Sequence, residues 1–156
     1  MLRTKTLILF IIGQLLIISC KEKITEATPK IVPEKQSIIL DLTKVVAKTE
    51  KEVETVIGKA EKNEKVKGYP CKNIDCKKVY YKEGEIEIIF KKGKADRVTI
   101  NKTSDLTNDK YILESLGLKN QSPAFKNIEN VIRWENLNGI SEISCFTDYI
   151  LIIVSK

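Results

Sequence analysis

The chain begins with one long apolar run, and its later apolar residues come in short segments between charged ones. Residues 7–18 are apolar except for one Gly-Gln pair, and Arg3 and Lys5 precede them. A helix that crosses a bilayer needs about 20 apolar residues, so this run is too short to span. Positive residues ahead of a short apolar run are typical of a secretory signal peptide. We therefore predict a signal peptide over residues 1–19.

The segment after the apolar run cannot build a core. Residues 20–36 are mostly polar and contain Pro29 and Pro33, a composition typical of a linker. When fully extended, such a segment reaches at most roughly 50 Å. We predict that it is a tether, which would hold a folded domain over residues 37–156 clear of a membrane surface.

Helical spacing appears in the first part of that domain. Mixed apolar spacing over residues 37–47 indicates a short helix. Thr49 and Glu52 have the spacing of a capping box, apolar residues then recur at helical intervals, and Gly58 suits the position just after a helix. The pattern predicts a helix from Glu50 to Ile57.

Period-two alternation follows a lysine-rich loop over residues 59–77. Glu85 and Glu87 would face away from the isoleucines between and after them, as alternate residues of a strand do. The predicted strands are Val79–Tyr81, Ile86–Phe90 and Arg97–Ile100, with turns at Glu83–Gly84 and Lys92–Gly93.

The same order of elements then recurs. Residues 108–117 align with residues 49–58, because a capping residue begins each segment, an acidic residue follows and a glycine ends both. A loop over 118–130 precedes three more strand candidates, Val131–Trp134, Ile140–Phe146 and Tyr149–Val154.

This order predicts the α+β class, with two short helix-plus-antiparallel-meander units forming one helix-on-sheet domain. The units would be residues 37–103 and 104–156. Their likeness indicates a tandem repeat. The alternative is chance, since caps and glycines are common at helix ends.

The last strand candidate is apolar at every position from Tyr149 to Val154. A sheet with helices on one face normally alternates, so this run predicts a central strand that is covered on both faces. The cover for the second face would be the loops at 59–77 and 118–130, a second copy of the chain, or a partner. An exposed apolar patch would mark an interaction site. The candidate interface residues are Tyr149, Leu151, Ile153 and Trp134.

Three cysteines follow Cys20. Cys71 and Cys76 lie close together in a polar loop, and export would place them where disulfides persist, so we predict a bridge between them. Cys145 lies in a strand-like run and is expected to be a small buried residue. A zinc site and a redox-active pair are the alternatives. An oxidising compartment disfavours the first, and the four intervening residues disfavour the second.

Composition removes several functional classes. The formal charge is +6, and loss of residues 1–19 leaves 25 basic against 21 acidic side chains, or +4. These charges are interleaved, which suits a solvated surface rather than a nucleic-acid groove. The absence of histidine excludes Ser-His and Cys-His triads, and Glu83, Glu85 and Glu87 are best explained as a solvated edge. We predict no enzyme activity, no cofactor, no metal and no nucleic-acid partner.

The end of the apolar run, Ile17-Ile18-Ser19-Cys20, resembles the lipobox of bacterial lipoproteins. The resemblance implies cleavage after Ser19 and acylation of Cys20, so the first partner would be the lipid bilayer. Two or more acyl chains hold a protein stably. Enteric lipoproteins with Asp after the cysteine stay at the inner membrane. Lys21 stands there in this chain, which favours the outer membrane, on its periplasmic or surface face.

A second resemblance rests on Thr49, Val53, Ile57, Gly58 and Lys59, followed by a meander. This segment resembles the SmpA/OmlA (BamE-like) small lipoproteins and the tandem units of β-lactamase-inhibitory-protein-like domains. The resemblance implies a non-catalytic binding module. The expected function is therefore an envelope lipoprotein that binds or assembles an envelope protein of unknown identity. The alternative is a carrier of a small apolar ligand in the periplasm or at the cell surface.

Overall fold

The computed structural model describes residues 37–103, 109–127 and 131–154. The fold is mainly one antiparallel sheet of eight strands, with few helices. The predicted signal peptide over 1–19, Cys20 and the tether over 20–36 lie outside the described residues. The helices are a short 3-10 helix (Leu42–Lys44), α1 (Glu50–Ile57) and α2 (Asp109–Ser115); the strands are β1 (Lys62–Lys65), β2 (Cys76–Tyr81), β3 (Ile86–Lys91), β4 (Lys94–Asn101), β5 (Phe125–Asn127), β6 (Val131–Leu137), β7 (Ile140–Cys145) and β8 (Tyr149–Ile153).

The sheet consists of two four-stranded meanders that are joined at their last strands. The strand order is β1-β2-β3-β4-β8-β7-β6-β5. β4 pairs with β8 in antiparallel fashion, and Thr99 lies opposite Leu151 in the middle of this ladder. The prediction that the C-terminal apolar run forms a central strand is therefore confirmed.

α1 has the bounds that its sequence predicts. The Glu52 N–H donates to Thr49 Oγ1 over 3.4 Å, and the Thr49 N–H donates to Glu52 Oε2 over 2.8 Å. These reciprocal bonds form the predicted capping box. The second bond also holds the pKa of Glu52 below its usual value. Gly58 ends the helix with φ near +107°, a backbone conformation that suits glycine. The matching cap predicted at Asn108, before α2, lies outside the described residues.

One face of the sheet carries the main core. Ile150 and Ile152 of β8 are fully buried on this face, together with Val53 of α1. Full burial of such a side chain contributes roughly 1.5–3 kcal/mol. The other fully buried residues of this core include Val79, Tyr81, Ile88, Val98, Ile112, Leu113, Leu116 and Ile143.

The core positions of the two meanders correspond. A two-fold rotation about the middle of the β4–β8 ladder exchanges the strands of one meander with those of the other. The cross-strand series Tyr81–Ile86–Ile100 then coincides with Trp134–Ile143–Ile152. A large, fully buried aromatic residue thus occupies the same place on β2 and on β6.

Three sequence predictions differ from the structure. The helix predicted over 37–47 is only a three-residue 3-10 helix, Leu42–Lys44. The apolar residues there have no helical period, and the backbone bonds to α2 instead: the Ile39 N–H donates to the Ser115 carbonyl.

The loops predicted over 59–77 and 118–130 contain β1 and β5. Both are edge strands exposed at every position, so neither shows the alternation by which strands are recognised. The helix-on-sheet architecture holds only in part, because two helices of eight and seven residues cover an eight-stranded sheet.

The capping box gives a first testable prediction. Thr49→Ala should lower the free energy of unfolding by about 1 kcal/mol, because the hydroxyl that accepts from the Glu52 N–H and donates to the Glu52 carboxylate is lost. Denaturant unfolding followed by circular dichroism measures the change.

Thr55→Ala is the matched control. Thr55 lies in the same helix and its hydroxyl bonds only to the Glu52 carbonyl, so replacement by a better helix former should leave stability unchanged or slightly raise it. An equal loss in both variants would contradict a specific role for the cap.

Candidate functional site

The second face of the sheet, turned away from α1 and α2, is the candidate site. We call it the open face. Its side chains alternate with those of the core along each strand, as the strand registers require. Its residues on the six inner strands include Lys78, Tyr80, Glu87, Ile89, Arg97, Thr99, Arg133, Glu142, Ser144, Tyr149, Leu151 and Ile153.

The middle of the open face carries an apolar strip on β8. Leu151 and Ile153 are half-buried, whereas Ile150 and Ile152 on the core face are fully buried. Tyr149 is 37% exposed, and its ring stacks on Phe146 with centroids 4.5 Å apart. Leu151 is flanked across the ladders by Thr99 and Ser144, which are shorter and leave it partly open to solvent.

The structure brings together three of the four predicted interface residues. Tyr149, Leu151 and Ile153 line the open face, but Trp134 is only 1% exposed and belongs to the core. Its indole N–H donates to the Gln121 carbonyl over 3.0 Å. The prediction for Trp134 is wrong because it pairs with Ile143, a core-facing residue, so the register sends its side chain to the core.

Polar residues beside the strip are already paired with one another. On one side, Lys78 Nζ lies 2.9 Å from Glu87 Oε2, and this bond raises the pKa of Lys78. On the other side, Arg133 Nε donates to Ser144 Oγ over 3.0 Å and lies 3.3 Å from Glu142 Oε1. These ion pairs neutralise the four charged side chains that form them.

The loop before β2 folds over one end of the open face. Cys71 and Cys76 lie at disulfide distance, as predicted, and both are buried. They form a small second core with Ile89 of β3, and Val66 packs against it. The loop at 59–77 thus supplies part of the predicted cover, whereas Leu118 of the other loop packs into the main core.

The same loop places Tyr69 on Arg97 of β4, a contact that sequence reasoning missed. Tyr69 is 75% exposed, and its ring centroid lies 5.0 Å from the guanidinium carbon. Arg97 donates from Nη2 to the Tyr69 hydroxyl over 3.0 Å. Arg97 Nε is buried and has no hydrogen-bond partner. No period or motif could reveal a pair that depends on how a disulfide loop folds.

The remaining predicted features lie apart from the strip. Cys145 is buried in the main core, and burial raises the pKa of its thiol to about 11. Glu85 forms an ion pair with Lys102 over 3.3 Å, and the Glu83 N–H bonds to the Glu61 carboxylate. Within the described parts of the chain, no three metal-binding side chains gather into a cluster.

Two pockets bear on small-ligand binding. One of about 390 Å³ lies at the β1 edge and is lined mainly by charged and polar residues, among them Glu50, Lys65 and Lys77. The other, about 240 Å³, lies beside Ile39, Ile86 and Ile100. Ligand pockets are typically about 300–1,000 Å³ and largely apolar, and neither pocket meets both conditions.

Comparisons with protein-family models, curated proteins and solved structures found no match for this chain. Among the residues that the structure describes, no helix is long and apolar enough to span a membrane.

The state of the thiols gives a second prediction. A purified form that begins at residue 21 should show one free thiol when denatured without reductant, because Cys71 and Cys76 are bridged. In the native state, Cys145 should react slowly at neutral pH, because it is buried and almost wholly protonated. Thiol counting with an aromatic disulfide reagent measures both, and three free thiols after oxidative purification would contradict the bridge.

Proposed function

We propose that this protein is a lipid-anchored lipoprotein of the cell envelope that binds another protein through the open face of its sheet. The module is non-catalytic, and it holds or helps to assemble its partner. The observation that carries this proposal is the apolar strip on β8, with Tyr149, Leu151 and Ile153 at the centre of a sheet face that no helix of the described chain covers.

The composition of the open face supports a protein partner. An apolar centre within a polar rim is the usual anatomy of a protein interface. Here the rim is formed by ion pairs such as Lys78–Glu87 and Arg133–Glu142. Because the charges of these two pairs already neutralise each other, a partner can cover this part of the rim without desolvating an unpaired charge there.

The anchor is supported by the first twenty residues. The apolar run and the lipobox at Cys20 favour acylation and export. The polar segment over 20–36 would let the domain move away from the bilayer surface. We assign the outer membrane as the site of attachment, because Lys21 rather than Asp follows the cysteine.

The architecture is compatible with the SmpA/OmlA and β-lactamase-inhibitory-protein-like resemblance. A helix followed by an antiparallel meander occurs twice. Tyr81 and Trp134 occupy equivalent core positions in the two halves, which favours a tandem repeat over chance.

The alternative function, transport of a small apolar ligand, has less support. The more apolar of the two pockets is about 240 Å³, which is small for such a ligand. Native mass spectrometry of the purified protein tests this alternative, because a bound molecule retained through purification would favour a carrier.

The open face gives a third prediction. Leu151→Thr together with Ile153→Thr should leave the domain folded, because both side chains are only half-buried. Capture of the partner from envelope extract should fall roughly tenfold or more, since hydrophobic anchors at an interface centre dominate affinity. Circular dichroism checks folding, and quantitative pulldown measures capture.

Two further variants make this experiment specific. Ile38→Thr changes an isoleucine that is 62% exposed and lies outside the sheet, so capture should not change. Ile150→Thr with Ile152→Thr should unfold the domain, because both residues are fully buried in the core. Normal capture by the folded Leu151/Ile153 variant would place the binding surface elsewhere.

The anchor gives a fourth prediction. Cys20→Ser should abolish labelling by radioactive palmitate, because the acyl acceptor is lost. The protein should then remain uncut or be released from the membrane, as immunoblots of fractionated cells would reveal. Cys145→Ser is the control, since this buried thiol is not an acceptor, and labelling that survives Cys20→Ser would rule out a lipoprotein.

A further inference from the structure

We propose that Arg97 and Tyr69 form the specificity anchor of the open face, and that this anchor receives a carboxylate from the bound protein next to an aliphatic side chain. This inference rests on the proposed function and names the chemistry of its partner. The occupant is a polypeptide segment in which Asp or Glu stands close to Leu, Ile or Val. The following observations on Arg97, its neighbours and Tyr69 carry the inference.

The Arg97 guanidinium is a cation whose hydrogen-bond donors are not all paired with acceptors. None of the ion pairs among the described residues includes it, and its one hydrogen bond goes to the neutral hydroxyl of Tyr69. Its buried Nε has no acceptor. A buried donor without an acceptor is unfavourable, and charged donors are the costliest to leave unmet. A carboxylate supplied from outside the chain would pair with the Arg97 charge and accept from the Nη donors that Tyr69 does not occupy.

Arg133 lies on the same face, and its guanidinium is paired with acceptors from its own chain. Its Nε lies 3.3 Å from Glu142 Oε1 and donates to Ser144 Oγ. Both arginines belong to inner strands of one sheet face, yet among the described residues only Arg133 forms an ion pair. The open position on this face is therefore at Arg97.

The neighbours of Arg97 define the rest of the recognised group. Ile153 lies directly opposite Arg97 on β8, and Ile89 lies opposite it on β3. Residues opposed across an antiparallel pair have their Cβ atoms about 5 Å apart. A partner side chain that reaches Arg97 therefore brings its neighbours onto the aliphatic surface of Ile153, which continues into the β8 strip.

Tyr69 holds the guanidinium in a fixed orientation. The ring lies over the guanidinium carbon at 5.0 Å, and the hydroxyl occupies one of its donors. Stacking on an aromatic ring leaves the in-plane Nη donors able to bind a carboxylate. Arginine and tyrosine are also the residues most enriched at interface hot spots. The Cys71–Cys76 bridge fixes the loop that carries Tyr69.

The test is selection of a random dodecapeptide phage library on the purified full chain held in lipid nanodiscs. Enriched peptides should contain Asp or Glu beside an aliphatic residue. Their affinity for the unaltered protein and its variants is measured by biolayer interferometry, with folding checked by circular dichroism. For the enriched peptides, Arg97→Gln should weaken binding roughly tenfold or more, because an anchoring charge pair is lost.

Further variants separate geometry from charge. Arg97→Lys keeps the charge but loses the planar fork, so it should recover little of the affinity. Tyr69→Ala should also weaken binding, and it provides a second measurement if Arg97→Gln does not fold. Lys51→Gln removes one positive charge from α1, on the other side of the sheet, and should leave affinity unchanged.

A selection that yields no peptide whose binding depends on Arg97 or Tyr69 overturns this inference. So does an equal loss in Arg97→Gln and Lys51→Gln, which would indicate only general attraction by positive charge. Peptides that lose binding with Leu151→Thr and Ile153→Thr, but not with Arg97→Gln, would leave the proposed function standing without this anchor. Peptides insensitive to all of these variants would argue against both.

Discussion

The antiparallel pairing of β4 with β8 is the interaction on which the rest of the structure depends. It joins the two meanders through residue pairs such as Arg97–Ile153 and Thr99–Leu151. Without it, each meander would end in a bare strand edge, which is prone to pair with other chains. The same ladder merges the core faces of both halves and sets Arg97 beside the apolar strip. The stability of the sheet and the composition of the open face therefore have one origin.

In the described part of the chain, two short helices cover one face of a sheet of eight strands. The core face receives α1, α2 and the buried aromatic residues Tyr81, Phe90 and Trp134. The side chains on the open face differ in character from strand to strand. The disulfide loop covers Ile89, and ion pairs join Lys78 to Glu87 and Arg133 to Glu142. Leu151 and Ile153 of β8 remain partly open. This division leaves a partly exposed apolar strip in the middle of a largely polar face.

The sequence predicts a feature well when the residues that produce it lie close together in the chain. The sequence predicts both ends of α1 correctly, because Thr49, Glu52 and Gly58 determine them within one helix. The inner strands followed from alternation, but β1 and β5 had no apolar residue pattern to reveal them. The apolar run predicts the open-face residues of β8, whereas Trp134, predicted at the interface, lies in the core. The Tyr69–Arg97 contact joins residues separated by a disulfide loop, so no local pattern contains it.

The aliphatic residues on the open side of β8 are not explained by folding alone. A central strand needs β-forming residues, but threonine meets that need at a solvent-facing position, as Thr99 does directly opposite Leu151. Other strands of the sheet, β3, β6 and β7, carry Glu87, Arg133 and Glu142 on this face and are still paired along their length. Leu151 and Ile153 thus keep apolar area in partial contact with water beside polar neighbours. Because apolar area is stabilised by removal from water, the gain that these two side chains forgo in folding is available when a partner covers them.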